Sequence, residues 1–360
     1  MRIIKSGDAK VIISNPDSHH NYFGWPTAAR LQNGKIAVTA SGFRRRHVCP
    51  FGKAVISYSD DNGDSYTMPS PVIDTVLDDR DGGILAFGKS GVIVTSFNNT
   101  TAFQRNNQEC DAYDAAYLDT VTPQEEAAAL GTTFRISHDC GVTFGKIFKS
   151  PVSSPHGPMA LRDGSLLWVG RTYSADDTFH RGTDCIQAHR INPDGTMEYV
   201  GEIERSNFRG EELLSCEPHA VLLDDGTILA HFRVQNSDES IFTTYQSSSY
   251  DNGKTWTKPV RILPLKGGAP PHILKHSSGV LISTYGYREC PYGIKAMFSF
   301  DRGKTWDSGY DIYINRVSDD IGYPSSVELD DGSILTVFYA HPSSNEPAVI
   351  MQEKWNFING

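Results

Sequence analysis

This chain has no C-x-x-C pair, no apolar run near the ~20 residues of a membrane-spanning helix, and no low-complexity or Pro/Ser-rich tract. Each absence excludes something. The six cysteines stand scattered at 49, 110, 140, 185, 216 and 290, which argues against a zinc cluster of cysteines. Met1 to Ser14 alternates like a strand and lacks the apolar core of a secretion signal, so free thiols and a cytoplasmic setting are the expectation. Without a linker, residues 1–360 read as one domain. A basic stripe is missing too: the net charge is −10, and the only dense basic cluster is Arg44-Arg45-Arg46-His47. A nucleic-acid partner is therefore not expected, and neither is a membrane.

What the chain does have is repetition. The pattern S-x-D-x-G-x-[TS]-[WFY] occurs four times, at Ser59 to Tyr66, Ser137 to Phe144, Ser249 to Trp256 and Ser299 to Trp306. Each copy follows an alternating apolar run and suits a hairpin tip: Asp caps backbone N–H groups, Gly takes a positive φ and the aromatic ring packs beneath. A second pattern pairs two strands around a turn such as Asn33-Gly34, Asp163-Gly164, Asp225-Gly226 or Asp331-Gly332, and recurs six times. Six units of about four strands predict an all-β, six-bladed β-propeller. Asn192-Pro193-Asp194-Gly195 reads as a decayed copy of the first turn, and Arg2 to Ser14 is expected to join the last blade and close the ring. Between Asn98 and Thr133 the rhythm stretches. Thr122 as N-cap, Pro123, Glu125 as capping-box partner and Gly131 as stop predict a short helical insertion in blade two.

In a propeller the strand opening each blade lines the central channel. Aligning the six copies brings Trp25, Asp81, His156, Glu217, His219, His272 and Tyr323 to one mouth. Any single one would also serve as a hydrogen-bonded filler of a channel wall. Arg171 and Arg233 each stand seven residues after their hairpin Gly, with Arg44 and Arg288 slightly further along theirs. Arg80 lies beside Asp81 in Asp78-Asp79-Arg80-Asp81. Together they predict a cationic mouth on an acidic protein, hence an anionic ligand gripped by guanidinium groups, with an acidic sugar fitting both the arginines and the aromatic faces.

The four turns resemble the Asp boxes of the sialidase superfamily, whose catalytic domains are six-bladed propellers, and the resemblance spans essentially the whole chain. Glu217-Pro-His-Ala through Arg233 resembles the segment carrying the glutamate partner of the nucleophile and one arginine of the carboxylate clamp. Tyr323-Pro-Ser-Ser resembles the segment carrying the tyrosine nucleophile. The resemblance implies that Glu217 draws the phenolic proton from Tyr323 while Arg233 holds an acid group. The sequence also departs from the family. Gly24 stands where the first clamp arginine belongs, Arg288 matches the third only loosely, and Gly42 to Gly52 lacks the acid/base aspartate.

These residues point to a retaining exo-glycosidase on a terminal, acidic sugar other than a standard sialoside. Tyr323 and Glu217 form the nucleophile pair, His47, Asp79 or Asp81 is the proton donor, and Arg233, Arg288, Arg44, Arg171, Arg80, Trp25, His156, His219 and His272 bind substrate. The same equipment also suits a uronate-directed polysaccharide lyase with His, Tyr and Arg, or a non-catalytic carbohydrate-binding propeller. No cofactor is expected. The three histidines come from different blades without metal-ligand spacing, so no metal is expected either.

Overall fold

A computed structural model describes residues 1–358 and is a six-bladed β-propeller. The innermost strands are Tyr22–Arg30, Arg80–Phe87, Met159–Ala160, Leu214–Leu222, Pro271–Lys275 and Gly322–Glu328. Each opens an antiparallel sheet whose strands follow in chain order, as local hairpins dictate. Arg2–Lys5 and Lys10–Ile13 both pair with Val349–Ile358, so the chain's first strands complete the last blade, as the alternation of Arg2 to Ser14 predicted.

The buried apolar residues fall between blades. Leu167, Val169 and Ile186 of blade three meet Phe232, Val234 and Tyr245 of blade four, and comparable clusters fill the other interfaces. No blade has a core of its own, so each depends on both neighbours, as stacked repeats must.

The Ser-Asp-Gly-aromatic turns link the third and fourth strands of blades one, two, four and five, and Asn192 to Gly195 holds that place in blade three. In the Ser299 copy, Asp301 accepts from the Thr305 N–H at 2.9 Å and its hydroxyl at 2.6 Å, while Ser299 Oγ accepts the Gly303 N–H at 2.7 Å. These turns also stitch blades together, which the sequence did not suggest. The carbonyls of Gly63, Gly141 and Gly303 accept from Gln352, Tyr58 and Gln246 of the preceding blade, at 2.7, 2.6 and 2.9 Å.

The innermost strands share a different device. In blades one, two, four and six the register shifts by one residue, leaving two residues unpaired, between Gly24 and Thr27, Arg80 and Gly83, Cys216 and His219, and Gly322 and Ser325. The first residue of each bulge takes a left-handed backbone: Trp25 at φ 53°, Asp81 at 49°, Glu217 at 52° and Tyr323 at 49°. A non-glycine residue there costs roughly 1–2 kcal/mol, and such bulges re-aim side chains. Here they turn four large or charged groups out of the strand pattern.

The insertion between Gly91–Phe97 and Thr132–Ser137 holds three short helices where the sequence predicted one: α1 (Thr101–Asn106), α2 (Ala112–Leu118) and α3 (Pro123–Ala129). The expected capping box of Thr122 and Glu125 is present on α3. The first two are capped by Thr100 and Asp111, whose side chains accept backbone N–H groups.

Candidate active site

Two of the bulges bring blades four and six together. The Tyr323 hydroxyl donates a short hydrogen bond to Glu217 Oε1, and Arg233 Nη1 reaches both Glu217 oxygens at 3.1 and 3.0 Å. Burial first, then the Glu217 and Asp81 carboxylates, push the Tyr323 phenol well above its usual value, while Arg233 and Arg288 pull it back. At rest the proton therefore stays on the phenol, which points it at Glu217.

The third bulge places Asp81 in the same cavity. About 230 Å³ is enclosed among Tyr323, Glu217, Arg233, Asp81, Arg80 and Arg171, with Asp177 also on the wall. Burial, reinforced by Glu217 and Asp177 and opposed by Arg80, pushes the Asp81 carboxyl up to about 7. A carboxyl with that value carries a proton to give near neutral pH.

The fourth bulge places Trp25, exposed by only 1 %, among charged and aromatic neighbours. The guanidiniums of Arg44 and Arg80 lie 4.8 and 4.7 Å from its ring centre, and the rings of His47 and Tyr323 lie 4.9 and 6.4 Å away. His47 does not line the cavity that holds Tyr323. Its Nδ1 lies 3.3 Å from Tyr22 Oη and 3.4 Å from Asp320 Oδ1.

Asp320 is a hub that sequence reasoning missed. It accepts from Tyr22 at 2.8 Å and Tyr339 at 2.9 Å, and His341 Nε2 lies at 3.0 Å. Burial opposes its charge, yet hydrogen bonds from His341 and His47 hold its carboxyl well below the usual range. The only signal for it was its position three residues before Tyr323.

Several expected site residues lie elsewhere. Arg44 is fully buried and forms a two-point pair with Asp78 at 2.5 and 2.8 Å, so it braces the fold and cannot meet a ligand. Asp79 is enclosed as well, accepting from the Thr75 N–H at 2.6 Å and from Asn98 at 3.2 Å. Arg288 and Arg233 both lie over Phe242, at 5.3 and 4.4 Å from its ring centre, but Arg288 lines a neighbouring cavity with Asp320 and not the one that holds Tyr323.

The three channel histidines meet one another instead of substrate. His219 and His272 stack in parallel at 4.1 Å, with His156 edge-on at 5.4 and 5.0 Å. Nδ1 of His219 accepts the Ile273 N–H at 2.9 Å and Nδ1 of His272 the Ser326 N–H at 3.3 Å, which leaves the ring proton on Nε2 of each. Burial holds His219 down at about 3 and drives the other two well below the normal value. A metal would find no free lone pair on His219 or His272 unless these backbone bonds broke.

The expected cationic surplus is also absent. Within the cavity Arg80, Arg171 and Arg233 face Asp81, Asp177 and Glu217. Arg171 is held by Asp177 at 3.2 Å and Asp184 at 3.0 Å, and Arg233 by Glu217. Arg80 is the least committed, its nearest carboxylate being Asp78 at 4.0 Å.

No family model matches the chain, and no curated protein matches it by sequence. Solved structures do match. A protein of unknown function from Dyadobacter fermentans superposes with a TM-score of 0.76 over 99 % of both chains at 18 % identity. The NanB sialidase of Streptococcus pneumoniae gives 0.68 at 15 % identity over 98 % of this chain and 71 % of its own. An α-L-arabinanase of Penicillium chrysogenum gives 0.62 at 13 % identity over 98 % of each. The fold is the six-bladed propeller that these solved structures share.

Proposed function

We propose that the protein is a retaining, exo-acting glycoside hydrolase on a terminal sugar other than a standard sialoside. The observation that carries this reading is the Tyr323 hydroxyl donating to Glu217 beside Asp81 in one cavity. In the first step Tyr323 Oη bonds to the anomeric carbon as Glu217 takes its proton. The glycosidic C–O bond breaks, and Asp81 delivers its proton to the leaving oxygen. Water then attacks the glycosyl-tyrosine with Asp81 as base, and Glu217 returns the proton to the phenolate. The high proton affinity of the phenol favours proton transfer in concert with C–O bond formation over a free phenolate.

The cavity of about 230 Å³ suits one sugar ring, which supports exo action. With Asp81 protonated, one guanidinium exceeds the remaining carboxylates of the wall. Arg80, stacked on Trp25, is the natural anchor for one anionic substituent. An acidic sugar is therefore the proposed ligand.

The test is a panel of 4-nitrophenyl glycosides of uronic, ulosonic and neutral sugars. Nitrophenol release by the wild type, lost in Tyr323→Phe, with a glycosyl mass increment trapped on the Tyr323 peptide, is the expected result. Appearance of an unsaturated uronate from uronate oligosaccharides would replace this reading with elimination. Sugar binding without turnover would leave a carbohydrate-binding propeller.

A further inference from the structure

The helical insertion and the loop after Leu166–Thr172 flank a second and larger space, an open groove of about 1020 Å³. Its wall continues that of the catalytic cavity, because Tyr173 and Ser174 line both. The far end is bounded by α1 and the residues after it, and His47 of blade one closes one side.

The groove is built, not draped. At its base the two walls are bonded together: the Thr100 N–H donates to the Ala175 carbonyl at 3.0 Å, the Asn99 amide to the same oxygen at 3.3 Å, and the Tyr173 hydroxyl to the Asn98 carbonyl at 2.8 Å. The outer end of the insertion is clamped to blade one. Arg45 bonds Asp111 at 2.7 and 3.0 Å and Asp114 at 2.8 Å, and Arg46 adds a bond to Asp111 at 2.5 Å. Arg45 and Arg46 of the basic cluster thus spend their charge holding the wall in place.

The lining decides the ligand class. Asn106, Asn107, Gln108 and Thr100 present amides and hydroxyls, and Phe103 and Tyr173 present aromatic faces. Paired donors and acceptors beside flat rings recognise polyols. Glu109 and Asp176 share the groove with His47 and His180 and no arginine or lysine, so a polyanion finds no partner there.

We propose that this groove binds the uncharged oligosaccharide from which the terminal sugar is cut, so that the natural substrate is a glycan of several units. This rests on the hydrolase reading for the direction of the chain, but binding is measurable without turnover. The experiment uses saturation-transfer NMR with malto-, cello-, xylo-, arabino- and lacto-N-tetraose on wild type, Tyr323→Phe, Phe103→Ala and Ala102→Trp, with melting curves on each. Ala102 is exposed on α1 and on the groove wall, so a Trp there fills the space without disturbing a core. Binding of at least one tetrasaccharide by wild type and Tyr323→Phe is expected, reduced about tenfold or more in Ala102→Trp and about fivefold in Phe103→Ala. No tetrasaccharide binding at millimolar concentration, or equal binding by wild type and a well-folded Ala102→Trp, would overturn the proposal. Groove binding in a protein inert toward every aryl glycoside would sink the hydrolase reading alone.

Discussion

The outer turns and the inner bulges are both repeated devices, and they differ in one respect. The four outer turns keep the same backbone and the same side chains: Ser, Asp, Gly, a hydroxyl residue and an aromatic ring. The four inner bulges keep the same left-handed backbone but carry Trp25, Asp81, Glu217 and Tyr323. At an outer turn the Ser and Asp side chains are bonded within the turn, and in three copies the Gly carbonyl is bonded by the preceding blade, so the element does structural work wherever it occurs. At an inner bulge the strain is alike in all four places while the chemistry is not. Held strain with unlike side chains is what the proposed function builds on.

The sharpest way to break this comparison is to remove one atom from an inner bulge. Tyr323→Phe is expected to lower turnover about 10²- to 10⁴-fold while shifting the melting temperature little, because the ring stays packed. Next comes a buried brace that belongs to neither device. Asp78→Ala strands the Arg44 guanidinium and is expected to cost about 3–5 kcal/mol in urea unfolding.

Asp81→Asn tests charge directly. Its folded value of about 7 lies above that of the unfolded chain, so the folded state holds the proton more tightly. The wild type therefore loses stability as pH rises from about 4 through 7, and the variant does not share that loss. Turnover of alkyl glycosides, whose leaving oxygens need a proton, is expected to fall about 10²-fold or more, and that of nitrophenyl glycosides much less. Melting curves and rates across pH check both. A pH dependence of stability unchanged in Asp81→Asn would contradict the raised value.

The smallest effect belongs to the outer turns. Ser299→Ala removes the acceptor of the buried Gly303 N–H and is expected to cost about 1–3 kcal/mol with turnover per folded molecule unchanged. A catalytic defect there would erase the distinction between the two devices.

The architecture was legible because its signals are local. D-G and N-G turns and alternating runs mark hairpins within a dozen residues, and Thr122 to Glu125 marks α3 in the same way. The helices α1 and α2 escaped because each is a turn or two long and lacks a periodic apolar face. At the site, Tyr323, Glu217, Asp81 and Arg233 share one cavity, as their matching offsets suggested. Arg44 failed because its partner Asp78 lies 34 residues away and only packing reveals the pair. The histidines failed for a subtler reason. His219 lies beyond the bulge that turns Glu217 outward, so residues two apart in sequence face different depths of the channel. Asp320 gathers Tyr22, His47, Tyr339 and His341 from the two ends of the chain, which no spacing foretells.

The ring closure has a consequence for when this protein becomes able to act. Tyr323 sits on a blade whose outer strands are Arg2–Lys5 and Lys10–Ile13 and whose third strand is Val349–Ile358. Glu217 waits on blade four, complete by Arg261. During synthesis five blades can assemble in order from short-range contacts, but the sixth requires the first strands to wait for the last. The proposed base is thus in place well before the proposed nucleophile. The cavity is completed only with the final long-range pairing, so on the proposed reading a chain stalled before it would hold half a site and show no turnover.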